Sequence, residues 1–120
     1  MKVKVSEASG PVLDWMVVKV VGKSYVKDGT DYAPDGRIYQ RGTAQPTGPH
    51  YSSDWSLAGP ILDNHIFRLE DGDSIEDWPE RWLAEGGQSI QYGSTALVAI
   101  CRCYVAFKLS DEVEVPDELA

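Results

Sequence analysis

Thiols and imidazoles are scarce in this chain. Its 120 residues hold two cysteines and two histidines. A structural zinc site gathers about four such ligands, and His50 and His65 lie far along the chain from Cys101 and Cys103, so no metal is expected. The two cysteines are two apart within an apolar run; on a helix they fall on roughly opposite faces, unable to chelate one ion or to pair with each other. Free thiols in such a setting suit packing and a reducing cytosol. Phosphate loops, dinucleotide fingerprints and nucleophile elbows are also missing, which leaves no expected cofactor and no catalytic constellation.

Basic residues are the second shortage. Lys and Arg number 11 against 19 Asp and Glu, for a net charge of -8. Twelve of those acids fall in two runs, Glu70 to Glu85 and Asp111 to Glu118, where Arg81 is the single base. Gripping a phosphate backbone needs clustered cations, so direct nucleic-acid binding is disfavoured. Such acidity suits solubility, a basic partner, or mimicry of nucleic acid. It does not build a calcium loop. Counted from Asp31, Asp35 and Gly36 fit, but Ala33 stands third and Gly42 stands twelfth, where a Glu is needed; counted from Asp71, Glu76 takes the place of the turn glycine.

Long hydrophobic runs are absent as well. VLDWMVVKVV is interrupted by Asp14 and Lys19, and ALVAIC stops at Arg102. Neither crosses a bilayer, and no export signal is visible, so the expectation is a cytoplasmic protein without membrane attachment.

What the sequence does contain is aromatic mass and clear punctuation. With 42% hydrophobic residues, four Trp and six Tyr, the chain can bury one core as a single domain over residues 1–120, with an acidic extension from about residue 110. Lys2 to Val5 alternate like a short strand. Ser9-Gly10-Pro11 reads as a helix start and Gly22 as its stop, with Leu13, Met16, Val17 and Val20 at helical spacing between them. Between 28 and 50, RIYQR reads as a short strand set between two turn-rich flanks. Residues 65–70, 81–85 and 89–92 read as three strands, the last two joined by a turn at Glu85-Gly86-Gly87-Gln88. The last helix follows Ser94 or Thr95 and is apolar almost all round, apart from Arg102 and Lys108, so it belongs in the core. In the tail after it, Val113 and Val115 are placed to pair as an edge.

One stretch, YSSDWSLAGPIL at residues 51–62, has the makings of a site. Ser53 is placed to cap a helix, and Asp54 behind it to complement the helix's positive end. Tyr51 and Trp55 are spaced to pack together across that entrance as a hydrophobic staple. Pro60 has no N–H for the Ser56 carbonyl, which predicts a kink or restart at Gly59-Pro60. Aromatics beside a helix N-terminus are also where partners dock. Arg102 joins this corner as a candidate, since a charge on a buried helix needs an anion, a carbonyl or water: either it anchors a loop or the acidic tail, or it binds an anion there. The candidate binding residues are therefore Tyr51, Ser53, Asp54, Trp55 and Arg102.

Three segments in order, SGPVLDWMVVKVVG, YSSDWSLAGPIL and YGSTALVAICRCYVAFKLSDEVEVPDEL, resemble the NinX-like family of small proteins encoded by tailed bacteriophages and prophages. More distantly, Val17 to Gly22, Tyr51 to Asp54 and Ala99 to Arg102 are similar to stretches of phage proteins of the ABA-sandwich type. The resemblance implies an α+β fold layered α–β–α, with helices on both faces of a small, mainly antiparallel sheet, and agrees with the three helices and several short strands read from the residues. It supplies no activity and no catalytic residues. With the acidic, aromatic-bearing surface it implies a phage accessory protein that is not an enzyme and binds a host or phage protein. The alternatives are a small-ligand domain with its pocket between the Tyr51–Trp55 corner and the last helix, or an acidic mimic of nucleic acid.

Overall fold

The computed structural model describes residues 1–22, 25–27, 30–32, 38–40, 49–72, 80–117 and 119; at 25–27, 31–32 and 38–40 it describes the backbone alone. The Asp35-Gly36 pair, most of the Pro-rich segment 42–50 and most of the acidic loop 71–80 lie outside the described residues.

The fold is α+β, and the described residues form three α-helices and small antiparallel sheets. Strand β1 (Lys2–Lys4) leads into a 3-10 turn (Val5–Glu7) and then helix α1 (Gly10–Val21). Strands β2 (Tyr25–Lys27), β3 (Thr30–Tyr32) and β4 (Ile38–Gln40) form an antiparallel meander. Helix α2 (Trp55–His65) follows, then β5 (Arg68–Asp71), β6 (Trp82–Gly86) and β7 (Ser89–Gly93), a second antiparallel meander. Helix α3 (Ala96–Lys108) and strand β8 (Glu112–Glu114) complete the order.

Helix α3 is the core. Residues 96–106 are all buried. Its Thr95 cap accepts a bond at Oγ1 from the Val98 N–H at 3.2 Å. One side packs on β6 and β7, and the others on α1 and α2. The described residues thus place α3 between the β5–β7 sheet and the other two helices; the implied layering, helices on both faces of one sheet, is not established by them. Close approach to the sheet requires glycine. A Cβ added at Gly93 would lie 2.5 Å from the Ala99 backbone nitrogen and 3.0 Å from Val98, and one at Gly86 would collide with the His65 carbonyl oxygen.

Helix α1 forms despite its valines because Leu13 to Val18 are all buried, so tertiary contact outweighs their weak helix preference. Gly22 closes it at φ 89°, with its N–H donating to the Val18 carbonyl at 2.8 Å. Ser9 holds the cap position without a side-chain bond, and Pro11 takes the first turn, where its missing N–H costs nothing. Strand β1 is shorter by one residue than the alternation suggested, because Val5 enters the 3-10 turn and is fully buried. It pairs with β8 at Val3 opposite Val113, which brings the two ends of the chain together. β8 closes at Glu114, and Val115 continues the contact by donating its N–H to the Met1 carbonyl at 2.8 Å.

Two local expectations are corrected. Thr30–Tyr32, read as part of a turn-rich flank, is a strand paired on both sides, since β-ladder bonds override its polar composition. Residues 65–67 are not strand: α2 runs through His65, and β5 begins at Arg68.

The glycines give contrasting predictions. Gly93→Ala forces a methyl into backbone atoms and is expected to destabilise the fold by on the order of 3 kcal/mol. Gly59→Ala, inside α2 with nothing but its own helix near the new Cβ, is expected to stay within about 1 kcal/mol of wild type, since the helix-propensity gain is opposed by crowding against the Pro60 ring. Urea unfolding of the two variants against wild type measures both.

Candidate functional site

The chain ahead of α2 is folded into a turn by one buried carboxylate. Asp14, on α1 and 2% exposed, accepts the Ser52 backbone N–H on Oδ1 at 2.8 Å. Its Oδ2 lies 3.6 Å from Nδ1 of the half-exposed His50. The Ser53 N–H donates to the His50 carbonyl at 3.1 Å and closes the turn. Tyr51, between these anchors, is driven inward to 4% exposure. Burial raises the Asp14 carboxyl above its ordinary 3.8, against the opposing pull of Ser52 and His50. In sequence Asp14 is one charge in an apolar run; its helical spacing from the buried Leu13 and Val17 is the signal that it points inward.

Asp54, not Ser53, is the cap of α2. Its Oδ1 accepts from the Ser56 N–H at 2.9 Å and the Ser56 hydroxyl at 2.6 Å, which holds its carboxyl below the ordinary value. Ser53 is exposed one step earlier. Pro60 sits within one continuous helix, with no restart; its carbonyl accepts a further bond from Asn64 Nδ2 at 2.8 Å. The staple does not form. No ring contact joins Tyr51 and Trp55, and Trp55 is 52% exposed.

A cleft of about 350 Å³ opens beside Tyr51. Its long wall is α2, through Ser56, Leu57, Pro60, Ile61, Asn64 and His65; Val21 of α1 and Tyr104 of α3 complete it. Trp55 falls outside this wall, about 170° round the helix from its centre at 100° per residue. The His65 ring lies on Tyr104 with centroids 4.8 Å apart, and Phe107 meets Tyr104 edge-on at 5.8 Å, fixing the phenol's orientation. Tyr104 is 8% exposed. Neither it nor Tyr51 has a hydroxyl hydrogen bond among the described residues. Burial raises both phenols, so both stay protonated as donors near neutral pH. Among the described residues no Lys, Arg, Asp or Glu lines the cleft. A larger cleft, about 490 Å³, runs between Lys4, β7 and Glu112, but no buried side chain lines it.

Arg102 does not join this cleft. It is 4% exposed, and its Nε donates to the Ala8 carbonyl at 2.8 Å. Its Nη1 donates to Glu80 Oε2 at 2.7 Å and to the Tyr92 carbonyl at 2.8 Å. It pins α3 to the N-terminal segment, to β7 and to the residue ahead of Arg81. Of the five candidate residues, Ser53 and Asp54 shape the entrance, Tyr51 enters the cleft, and Trp55 and Arg102 lie apart from it.

The thiols are poorly suited to nucleophilic work. Cys101 is fully buried, and desolvation together with the nearby Asp14 charge pushes its thiol far above the ordinary range. Cys103 is pushed up to about 11 by burial, and its S–H donates to the Ser89 carbonyl at 3.3 Å. Among the described residues no three His, Cys, Asp or Glu side chains gather as a metal site, and no helix is long and apolar enough to cross a membrane.

Two predictions follow from the anchors. Arg102→Ala orphans two carbonyls and is expected to cost about 3 kcal/mol in urea unfolding. Glu80→Gln keeps both carbonyl bonds and costs roughly 1 kcal/mol, because solvent reaches that carboxylate. Asp14 sets a pH dependence. Its folded pKa is raised, so the stability it gives when protonated is fully present below pH 3.8 and is lost as the pH rises through the folded value. Asp14→Asn cannot ionise and keeps an acceptor for Ser52. Its stability relative to wild type should therefore be lowest below pH 3.8, grow as the pH rises and then level off. A relative stability that falls with rising pH would instead mean that Ser52 and His50 favour the charged carboxylate.

Residues 4–108 match the model of the family described as Bacteriophage P22, NinX. The match runs from the end of β1 to the last residue of α3 and takes in every wall of the cleft, leaving β8 outside. No curated protein matches the chain. On this match the chain belongs to that bacteriophage protein family.

Proposed function

We propose that this phage-family protein is a non-enzymatic accessory factor of the bacterial cytoplasm, and that it works by binding a host or phage protein through the cleft between α2 and Tyr104. The observation that carries the reading is the pair of buried phenols, Tyr51 and Tyr104, that line an uncharged cleft without a hydrogen-bond partner among the described residues. Leaving buried polar groups unmatched costs about 1–3 kcal/mol each, so a protein that carries two at one opening gains when a partner supplies acceptors. Val21, 39% exposed on the facing wall, adds apolar contact area. The raised thiols argue against cysteine chemistry, and two free cysteines suit a reducing compartment.

A small-molecule site is the second reading, favoured by the cleft's volume, which lies in the range such ligands occupy. Mimicry of nucleic acid has less support, because the acids of β8 stand opposite the lysines of β1.

The test is capture of a protein from a bacterial lysate, infected and uninfected, followed by a measured Kd with the purified partner. Leu57→Glu puts a charge on the cleft wall and is expected to weaken binding at least about tenfold, while Trp55→Ala leaves it nearly unchanged. Loss through Trp55→Ala with Leu57→Glu intact would move the binding surface to the opposite flank of α2. If nothing is captured by wild type, the reading fails.

A further inference from the structure

The form and chemistry of the cleft narrow what enters it. This step rests on the protein-binding reading above and deepens it. Along α2 the wall runs from Ser56 to His65, about 14 Å at 1.5 Å per residue, in three successive rungs: Ser56 and Leu57, Pro60 and Ile61, Asn64 and His65. An extended chain covers that distance in about four residues at 3.3 Å each. A single small ring would occupy only part of it.

The hydrogen-bonding groups are of both kinds. Tyr51 and Tyr104 offer two phenolic donors, each more than nine-tenths buried and without a partner among the described residues. On the same wall the Ser56 carbonyl lacks its helical donor, because residue i+4 is Pro60 and has no N–H. Two donors and a carbonyl that lacks its i+4 helical donor, along a groove with no Lys, Arg, Asp or Glu among the described residues, complement a peptide backbone, which brings C=O and N–H groups in alternation. Leu57, Ile61 and Val21 supply apolar surface for a side chain between them. Among the described residues the walls carry no Lys, Arg, Asp or Glu, which disfavours a strongly charged ligand.

We infer that the groove along α2 binds a short, uncharged, extended segment of the partner protein, with its carbonyls accepting from Tyr51 and Tyr104 and a backbone N–H donating to Ser56. The segment is about four residues long and carries an apolar side chain.

The experiment is selection of a random heptamer peptide library displayed on filamentous phage against the purified full chain. The Kd of each synthetic winner is then measured for wild type and variants by fluorescence anisotropy. Winners are expected to share an uncharged, apolar core of about four residues. The double variant Tyr51→Phe/Tyr104→Phe removes only two hydroxyls and is expected to bind them roughly tenfold more weakly, with its fold confirmed by an amide NMR spectrum. Pro60→Ala separates binding from stability. It returns an i+4 donor to Ser56, so it should raise the melting temperature while weakening the peptides. No enriched peptide, winners that are uniformly charged, or full affinity for the double variant would each overturn the inference. So would thymidine or uridine shifting the cleft amides when no peptide does. A captured protein that Leu57→Glu loses and the double variant keeps undiminished would leave the proposed function standing and overturn this inference. Peptides that depend on both hydroxyls, with no protein captured, would do the reverse.

Discussion

A helix that is apolar on every face holds its place only when each face is covered, and α3 sets that demand on the rest of the chain. Eleven consecutive residues of it are buried. Burial of each Leu, Ile or Val side chain contributes about 1.5–3 kcal/mol, so the cover is where the favourable energy of this domain is concentrated. The sheet β5–β7 supplies one cover, and it can approach only because Gly93 presents no Cβ to the Val98 and Ala99 backbone. Helices α1 and α2 supply the rest. The single charge inside that helix then becomes a fastening: Arg102 spends its donors on two carbonyls and one carboxylate from three separate parts of the chain.

The second buried charge, Asp14, explains why the candidate site exists at all. The turn at 50–53 would bring several backbone polar groups against α1, and the carboxylate receives one of them from Ser52. That bond sets the position of Tyr51, and the His65 and Phe107 rings, one tilted over Tyr104 and one edge-on to it, set the position of Tyr104. The cleft is therefore a by-product of packing: Tyr51 is placed by a carboxylate outside the walls, and Tyr104 in part by His65, itself a wall residue.

How much of this was legible in the sequence depends on whether the signal was local. The helices at 10–21 and 96–108 were readable from Gly22, Thr95 and the apolar spacing between their ends, and the hairpin at 82–93 from Gly86-Gly87 and its flanking alternation. The alternative reading puts a small-ligand pocket between the Tyr51–Trp55 corner and the last helix; the cleft has Tyr51 and Tyr104 on its walls but not Trp55. The partnership of Tyr51 with Trp55 was misread because the helix begins one residue late. With Asp54 as cap, Trp55 is the first residue of α2 and faces away from the wall that Leu57 and Ile61 build. Asp14 was passed over because its partners lie 36 and 38 positions away, at His50 and Ser52, and no spacing rule reaches that far.

The acidic composition looked like the most functional feature of the sequence, and the fold uses part of it internally. In the β1–β8 ladder Lys2 stands opposite Glu114 and Lys4 opposite Glu112. The amine of Met1 donates to Glu114 at 2.8 Å and to Asp117 at 3.0 Å, and those carboxylates in turn raise its pKa. Each such contact is exposed and weak in energy, yet together they favour the observed antiparallel register, since sliding β8 by two residues would leave one of the two lysines without a glutamate opposite. A further acidic pair, Glu70 and Glu85, flanks Arg68 on neighbouring strands. Charge among the described residues thus organises edges and termini, while the walls beside Tyr51 and Tyr104 carry no Lys, Arg, Asp or Glu among them. A partner held there as proposed would be recognised by shape and hydrogen bonding, which vary little with salt, and this distinguishes it from any surface that acts through its acids.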